Sequence, residues 1–191
     1  MASDPRTLDT KLFGQDVQFD YSERWLGYSM LGLRLVMAWV FLQAGIQKLA
    51  EDGWTNPGGF SSEGFLVHGI EDGNPFAGLF DFFANYTAVI DPMVMFGQIA
   101  IGLALLFGVL FRFAALIGGL QLLLFWFGAF EGGFAEGLPI AHGYVIDSSF
   151  VYMILLFGLG AWGAGRILGV DAYLEETEFV KQRPWLQYLL G

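Results

Sequence analysis

Cysteine is absent from the 191-residue sequence, which excludes disulfides, thiol chemistry and cysteine-ligated iron–sulfur clusters within the chain. Positive charge is scarce too. Nine Lys and Arg stand against 19 Asp and Glu, and lysine occurs only at Lys11, Lys48 and Lys181. No basic patch for nucleic acid is possible on such a balance, and no phosphate-binding glycine fingerprint or nucleophile elbow is present. The two histidines, His68 and His142, fit no zinc-ligand spacing, even with Glu131, Glu136 and Asp147 near the second, and no metal is expected. Any catalysis by this chain needs a bound carrier or a partner.

Long apolar runs are what the sequence does have. Residues 25–48, 92–111, 113–130 and 148–167 contain no Asp or Glu, and each comes close to the roughly 20 mainly apolar residues that a bilayer-crossing helix needs. The second and third runs adjoin, and one helix through both would extend about 57 Å, so the chain must turn between them. Glycine and charge place that turn at 108–112, where Arg112 seeks the interface. The expected fold class is an all-α integral membrane protein: a four-transmembrane-helix bundle with both termini cytoplasmic. The N-terminal segment 1–24 leads into a transmembrane domain over 25–170, and 171–191 forms a cytoplasmic interfacial tail.

Orientation comes from the basic residues. Arg6, Lys11 and Arg24 precede the first run, Arg112 lies at the turn, and Arg166, Lys181 and Arg183 follow the fourth, all cytoplasmic by the positive-inside rule. Localisation is thus expected in the plasma membrane as a multi-pass protein, with the first run a retained helix, not a cleaved signal. The acid-rich, lysine-poor aqueous segments suit high internal salt, where screening removes self-repulsion, and so suggest a halophile.

The first outer loop, 50–91, is too long for a bare connector. Asn74-Pro75 reads as a helix start, and Phe76, Leu79, Phe80 and Phe83 follow at helical spacing, predicting a short interfacial helix. Asp91-Pro92 is the same signal for the second span and Asp147-Ser148 a weaker one for the fourth. The stretch 53–64, with Trp54 and Pro57, is expected to be irregular, as a lid would be. His68 and His142 both fall in outer loops, which argues against a transmembrane haem. Small-residue ladders, including Ala100/Ala104/Gly108, Ala114/Gly118 and Gly160/Ala164, should let the helices pack closely.

One residue stands out. Arg34 lies ten positions beyond Arg24, about 15 Å along the helix, with no carboxylate in any span to neutralise it. Gln121 sits at a comparable depth on the third span, so an Arg34–Gln121 hydrogen bond is the simplest internal satisfaction. Phe41, Gly45 and Lys48 share the Arg34 stripe. That stripe is either a structural pin, or it faces the bundle interior or a partner and meets an anion, a polar headgroup such as a quinone carbonyl, or a carboxylate from elsewhere.

Three motifs then suggest a family. Arg34-Leu35 through Phe41-Leu42, Gly45 and Lys48-Leu49, then 102–108 with Arg112 and Ala114-Ala115-Leu116, then Gly163-Ala164-Gly165-Arg166 before Asp171 and Leu174 resemble, in order, the DoxX/DoxD-like membrane proteins. The resemblance implies a small four-helix subunit of the archaeal thiosulfate:quinone oxidoreductase type, acting in a respiratory chain with other membrane redox subunits and membrane lipid as partners. Quinone is the implied substrate or carrier, with no haem in the chain. Arg34, Lys48 and Arg112 become candidates for binding; Gln121 lies at the depth of Arg34, and Trp39, Phe41 and Tyr152 are expected as walls. The alternative is a non-catalytic accessory or assembly subunit of a larger respiratory complex, using an aromatic surface of Phe76, Phe80, Phe83, Phe125, Trp126 and Phe127.

Overall fold

A computed structural model describes residues 6–52, 59–71, 73–131 and 145–191. It opens on an element that the all-α expectation did not contain, an antiparallel hairpin of β1 (Arg6–Leu12) and β2 (Gln15–Tyr21). Leu8 pairs with Phe19 and Thr10 with Val17. The two-residue connection puts Phe13 and Gly14 at φ 52° and 81°, the twist that tight hairpins favour. The sequence carried this signal as period-two alternation around Phe13-Gly14, in a segment otherwise judged only by its charge.

Helix α1 (Glu23–Gln47) follows, continued by a π-turn at Lys48–Asp52. Glu23 in the first turn complements the helix dipole. Two short helices, α2 (Glu63–His68) and α3 (Ala77–Ala84), precede the long α4 (Thr87–Phe107) and α5 (Phe111–Gly128). Then come α6 (Ser148–Trp162) and the short α7 (Asp171–Leu174) and α8 (Glu178–Lys181). Among the described residues three helices are long and apolar enough to cross a membrane, those beginning at Glu23, Thr87 and Phe111. Only 33%, 28% and 33% of their most apolar windows is buried inside the bundle. The outward faces are nevertheless apolar: Trp39 is 65% exposed, Leu116 59% and Phe157 74%. Water does not tolerate apolar area on that scale and lipid does, so this is a helical membrane protein.

Several helix boundaries differ from the sequence expectation. The α4–α5 turn falls at 108–110, inside the predicted stretch, with Gly108 left-handed at φ 61°. Helix α4 starts at Thr87 and carries Pro92 inside it. Asp91 does not cap the helix, because its Oδ1 accepts from the Ser62 amide at 2.7 Å and the Ser62 hydroxyl at 2.5 Å. Helix α3 starts at Ala77, not at Pro75. Asn74 makes an Asx turn to the Phe76 amide and spends its Nδ2 on the carbonyls of Phe127, Gly128 and Phe130 at the end of α5. Asp147 does cap α6, through the Phe150 amide at 2.8 Å. The 15 residues of α6 extend about 22 Å.

Close approach between helices occurs where side chains vanish. A Cβ on Gly45 would stand 2.7 Å from Ile99 Cγ1, and one on Gly102 2.8 Å from the Leu42 amide nitrogen, so α1 and α4 touch nearly backbone to backbone. Gly118 on α5 receives the Phe41 ring on one side and Leu156 on another. Met37, Ala38, Phe41, Leu105, Phe111 and Leu156 form the centre of the core.

Candidate functional site

Two places in the bundle gather polar groups in apolar surroundings. The first is the turn end, where α4 meets α5. The segment after α6 folds across it: the Val170 and Asp171 amides donate to Phe107 O and Gly108 O, closing the last turn of α4. The fully buried Asp171 carboxylate accepts from the amides of Leu110 at 2.7 Å, Phe111 at 2.9 Å and Gly191 at 3.0 Å. It thereby satisfies the orphan donors at the start of α5 and holds Leu110 at φ 48°, a left-handed conformation costly for a residue with a side chain. Burial pushes the Asp171 carboxyl up from the usual aspartate range, and the three amide hydrogen bonds pull it back.

Arg34 belongs to this junction. Its Nη1 donates to Ala164 O at 2.8 Å and Ile167 O at 2.7 Å, carbonyls of the segment that follows α6. Asp171 supplies its counter-charge. The expected Arg34–Gln121 bond is not formed. The counter-charge is a carboxylate from outside the spans, as one reading of the stripe allowed, and it arrives from the segment after the fourth run. The glycines explain how: Gly108 lies so near Gly165, Gly169 and Arg34 Nη1 that a Cβ there would meet all three within 3.0 Å. The Gly163-to-Asp171 stretch is thus the latch of the bundle. Its signal in the sequence was the glycine pair with an acid six residues on.

The second place is a cavity of about 490 Å³, within the range of small-molecule sites. Lys48, Phe60, Phe65, Phe80, Gln121 and Phe125 are among its walls. Lys48 stands about 21 Å along α1 from Arg34, fourteen residues at 1.5 Å each. Its Nζ donates to Ala44 O at 3.1 Å and lies 5.4 Å from the centre of the Phe60 ring. Gln121 faces it from α5, its Oε1 buried without a hydrogen-bond partner. Helices α2 and α3 roof the space: Phe65 stands edge-on to Phe80 at 6.0 Å and to Phe125 at 5.8 Å. The Ser62–Asp91 bonds tie that roof to α4.

The seven residues singled out from the sequence therefore do not share one site, and Arg112 sits in the first turn of α5 with its Nε on Gly160 O. Lys48 and Gln121 line the same cavity; Arg34 is at the latch; Trp39 points outward; Phe41 is core against Gly118, and Tyr152 packs on the same core. Much of the aromatic set proposed as a partner surface is engaged internally. Phe76 stacks on Phe127 at 4.2 Å, Trp126 meets Phe130 at 4.8 Å, and Phe80 is 2% exposed. Phe60, Phe65 and the Ser62–Asp91 tie were missed, because nothing in a loop sequence shows which helix end it covers. His142, Glu136, Trp54 and Pro57, considered above for a metal and a lid, lie outside the described residues.

Residues 29–189 match a protein-family model described as DoxD, the TQO small subunit. The match takes in the latch, the cavity and most of the C-terminal tail, and leaves out the β-hairpin. No curated protein and no solved structure matches the chain.

Proposed function

The chain belongs to the DoxD family, and on that premise we propose that it is the membrane subunit of a quinone-reducing oxidoreductase that holds the quinone headgroup in the Lys48–Gln121 cavity. The observation that carries this reading is the Gln121 amide, whose buried oxygen finds no hydrogen-bond partner among the described residues, in a largely apolar, aromatic-walled space that Lys48 also lines. Such a group is costly unless something binds it. A quinone is a flat apolar ring with two carbonyl acceptors, and its reduction takes up two electrons and two protons. Lys48 offers a charged donor to one carbonyl and the Gln121 amide a neutral donor to the other, while Phe60, Phe65 and Phe125 supply ring contacts. The unpartnered amide oxygen, which a quinone carbonyl cannot satisfy because both only accept, takes the hydroxyl of the reduced product.

The same reading assigns electrons from thiosulfate or another reduced sulfur species at the outer face, through a companion redox subunit of a respiratory assembly. The apolar α6 serves as the fourth span, the latch end faces the cytoplasm, and α3 lies at the outer interface. The plasma membrane of a halophilic archaeon suits the acidic, lysine-poor aqueous parts. Arg34 then acts as the pin, not as a ligand: its two carbonyl bonds and Asp171 support that role.

Binding of a short-chain benzoquinone to the purified protein in detergent tests the assignment. Lys48→Met and Gln121→Leu are each expected to weaken it about tenfold, the worth of one hydrogen bond of about 1.4 kcal/mol, with the fold intact. Unchanged affinity in both variants would place the quinone elsewhere.

A further inference from the structure

A second concavity lies between α5 and α6, of about 450 Å³, and it has a different character. Arg112 is the one charged residue among its walls, and Leu116, Leu120, Met153 and Phe157 supply most of the apolar lining. Gly119 and Gly160 leave it hollow, and a Cβ on Gly119 would meet nothing within 4 Å. The groove opens on the lipid side, where Leu116 is 59% and Phe157 74% exposed. Its walls on α5 run from Arg112 to Leu123, about 16 Å of helix.

Arg112 sits at one end, in the first turn of α5 beside the α4–α5 turn. Its Nε donates to Gly160 O at 3.1 Å, which fixes the guanidinium across the two helices. No other hydrogen bond to it is found among the described residues, and the four ion pairs there do not include it. The acids of the segment that follows α6 are already engaged. Asp171 is filled by three amides and Glu175 by Arg166 at 2.7 Å. Arg112 thus places a guanidinium, with no hydrogen bond to its two terminal nitrogens among the described residues, at one end of an apolar, lipid-facing channel.

We infer that this groove holds one acyl chain of an anionic membrane lipid, with the lipid phosphate taken by the terminal nitrogens of Arg112. A guanidinium fork matches two phosphate oxygens at once, and the apolar lining runs away from it along the direction a lipid chain takes. Charge makes the site selective. The chain carries a formal −10, so its aqueous parts repel anionic lipid in general, and retention of such a lipid points to a local cation. This site is separate from the quinone cavity, although Leu120 contributes to both walls.

The test uses the full chain in nanodiscs of phosphatidylglycerol or phosphatidylcholine, with retained lipids counted by native mass spectrometry after mild delipidation. The wild type should keep one phosphatidylglycerol per chain, with about tenfold preference over phosphatidylcholine. Gly119→Leu puts a side chain into the groove at a position where the new Cβ meets nothing within 4 Å and should abolish that retention; Arg112→Gln should remove the preference. Should Arg112→Gln fail to fold, Gly119→Leu carries the test alone, because it leaves Arg112 and its Gly160 bond in place. Equal retention of the two lipids, or a count untouched by Gly119→Leu, overturns the inference. A homodimer that Gly119→Leu dissociates also overturns it, by assigning the groove to a second copy of the chain.

Discussion

Replacing Asp171 by Ala removes the acceptor around which the latch is built. Three backbone donors lose their partner, the Leu110, Phe111 and Gly191 amides at 2.7, 2.9 and 3.0 Å, and a stranded buried donor costs about 1 to 3 kcal/mol. Arg34, 2% exposed, loses its counter-charge, and Leu110 loses the bonds that hold its left-handed backbone. At the lower end of these ranges the stranded donors cost about 3 kcal/mol and the unpaired buried charge about 3 more, a large share of a typical stability of about 5 to 15 kcal/mol. Asp171→Asn keeps one carbonyl oxygen and should cost about half as much. Unfolding in mixed micelles by increasing dodecyl sulfate, followed by tryptophan fluorescence, measures both. Arg34→Met completes a double-mutant cycle, and because the two charges share one buried environment the double variant should fall short of the additive loss by about 1 to 3 kcal/mol. If Asp171→Ala shifts stability by less than about 1 kcal/mol, or if the two changes simply add, the latch is not the keystone described above.

The contact between α1 and α4 makes a sharper, purely steric prediction. Gly102→Val would drive its Cβ to 2.7 Å from Leu42 Cγ and should destabilise by about 1 to 3 kcal/mol. Gly27→Ala, with nothing within 4 Å of the new methyl, should stabilise by about 0.5 to 1 kcal/mol in the same titration. Asn74→Ala strips a side-chain donor from three carbonyls at the end of α5 and should cost about 2 kcal/mol. Hydrogen exchange should show the Ala129 and Phe130 amides opening faster while the centre of α5 stays protected.

What the sequence determined follows from physics that is local along the chain. Acid-free apolar runs specify membrane helices because lipid has no partners to offer a backbone or a charge, and the three long helices overlap the stretches expected, each beginning two to five residues earlier, while the α4–α5 turn falls inside its own. The Asp147 cap was legible for the same reason: cap and amide are three residues apart. Tertiary structure decided everything that needed two distant segments to meet. Asp171 reaches the amides of Leu110 and Phe111 across about sixty positions, Ser62 takes Asp91 away from the helix it was expected to cap, and Asn74 serves the end of α5 as well as the approach to α3. Arg34 and Lys48 share a stripe on paper, yet a helix separates them by about 21 Å, so one joins the latch and the other the cavity. Polar groups buried in an apolar bundle must find partners wherever the fold brings them, and only the fold says which ones are within reach.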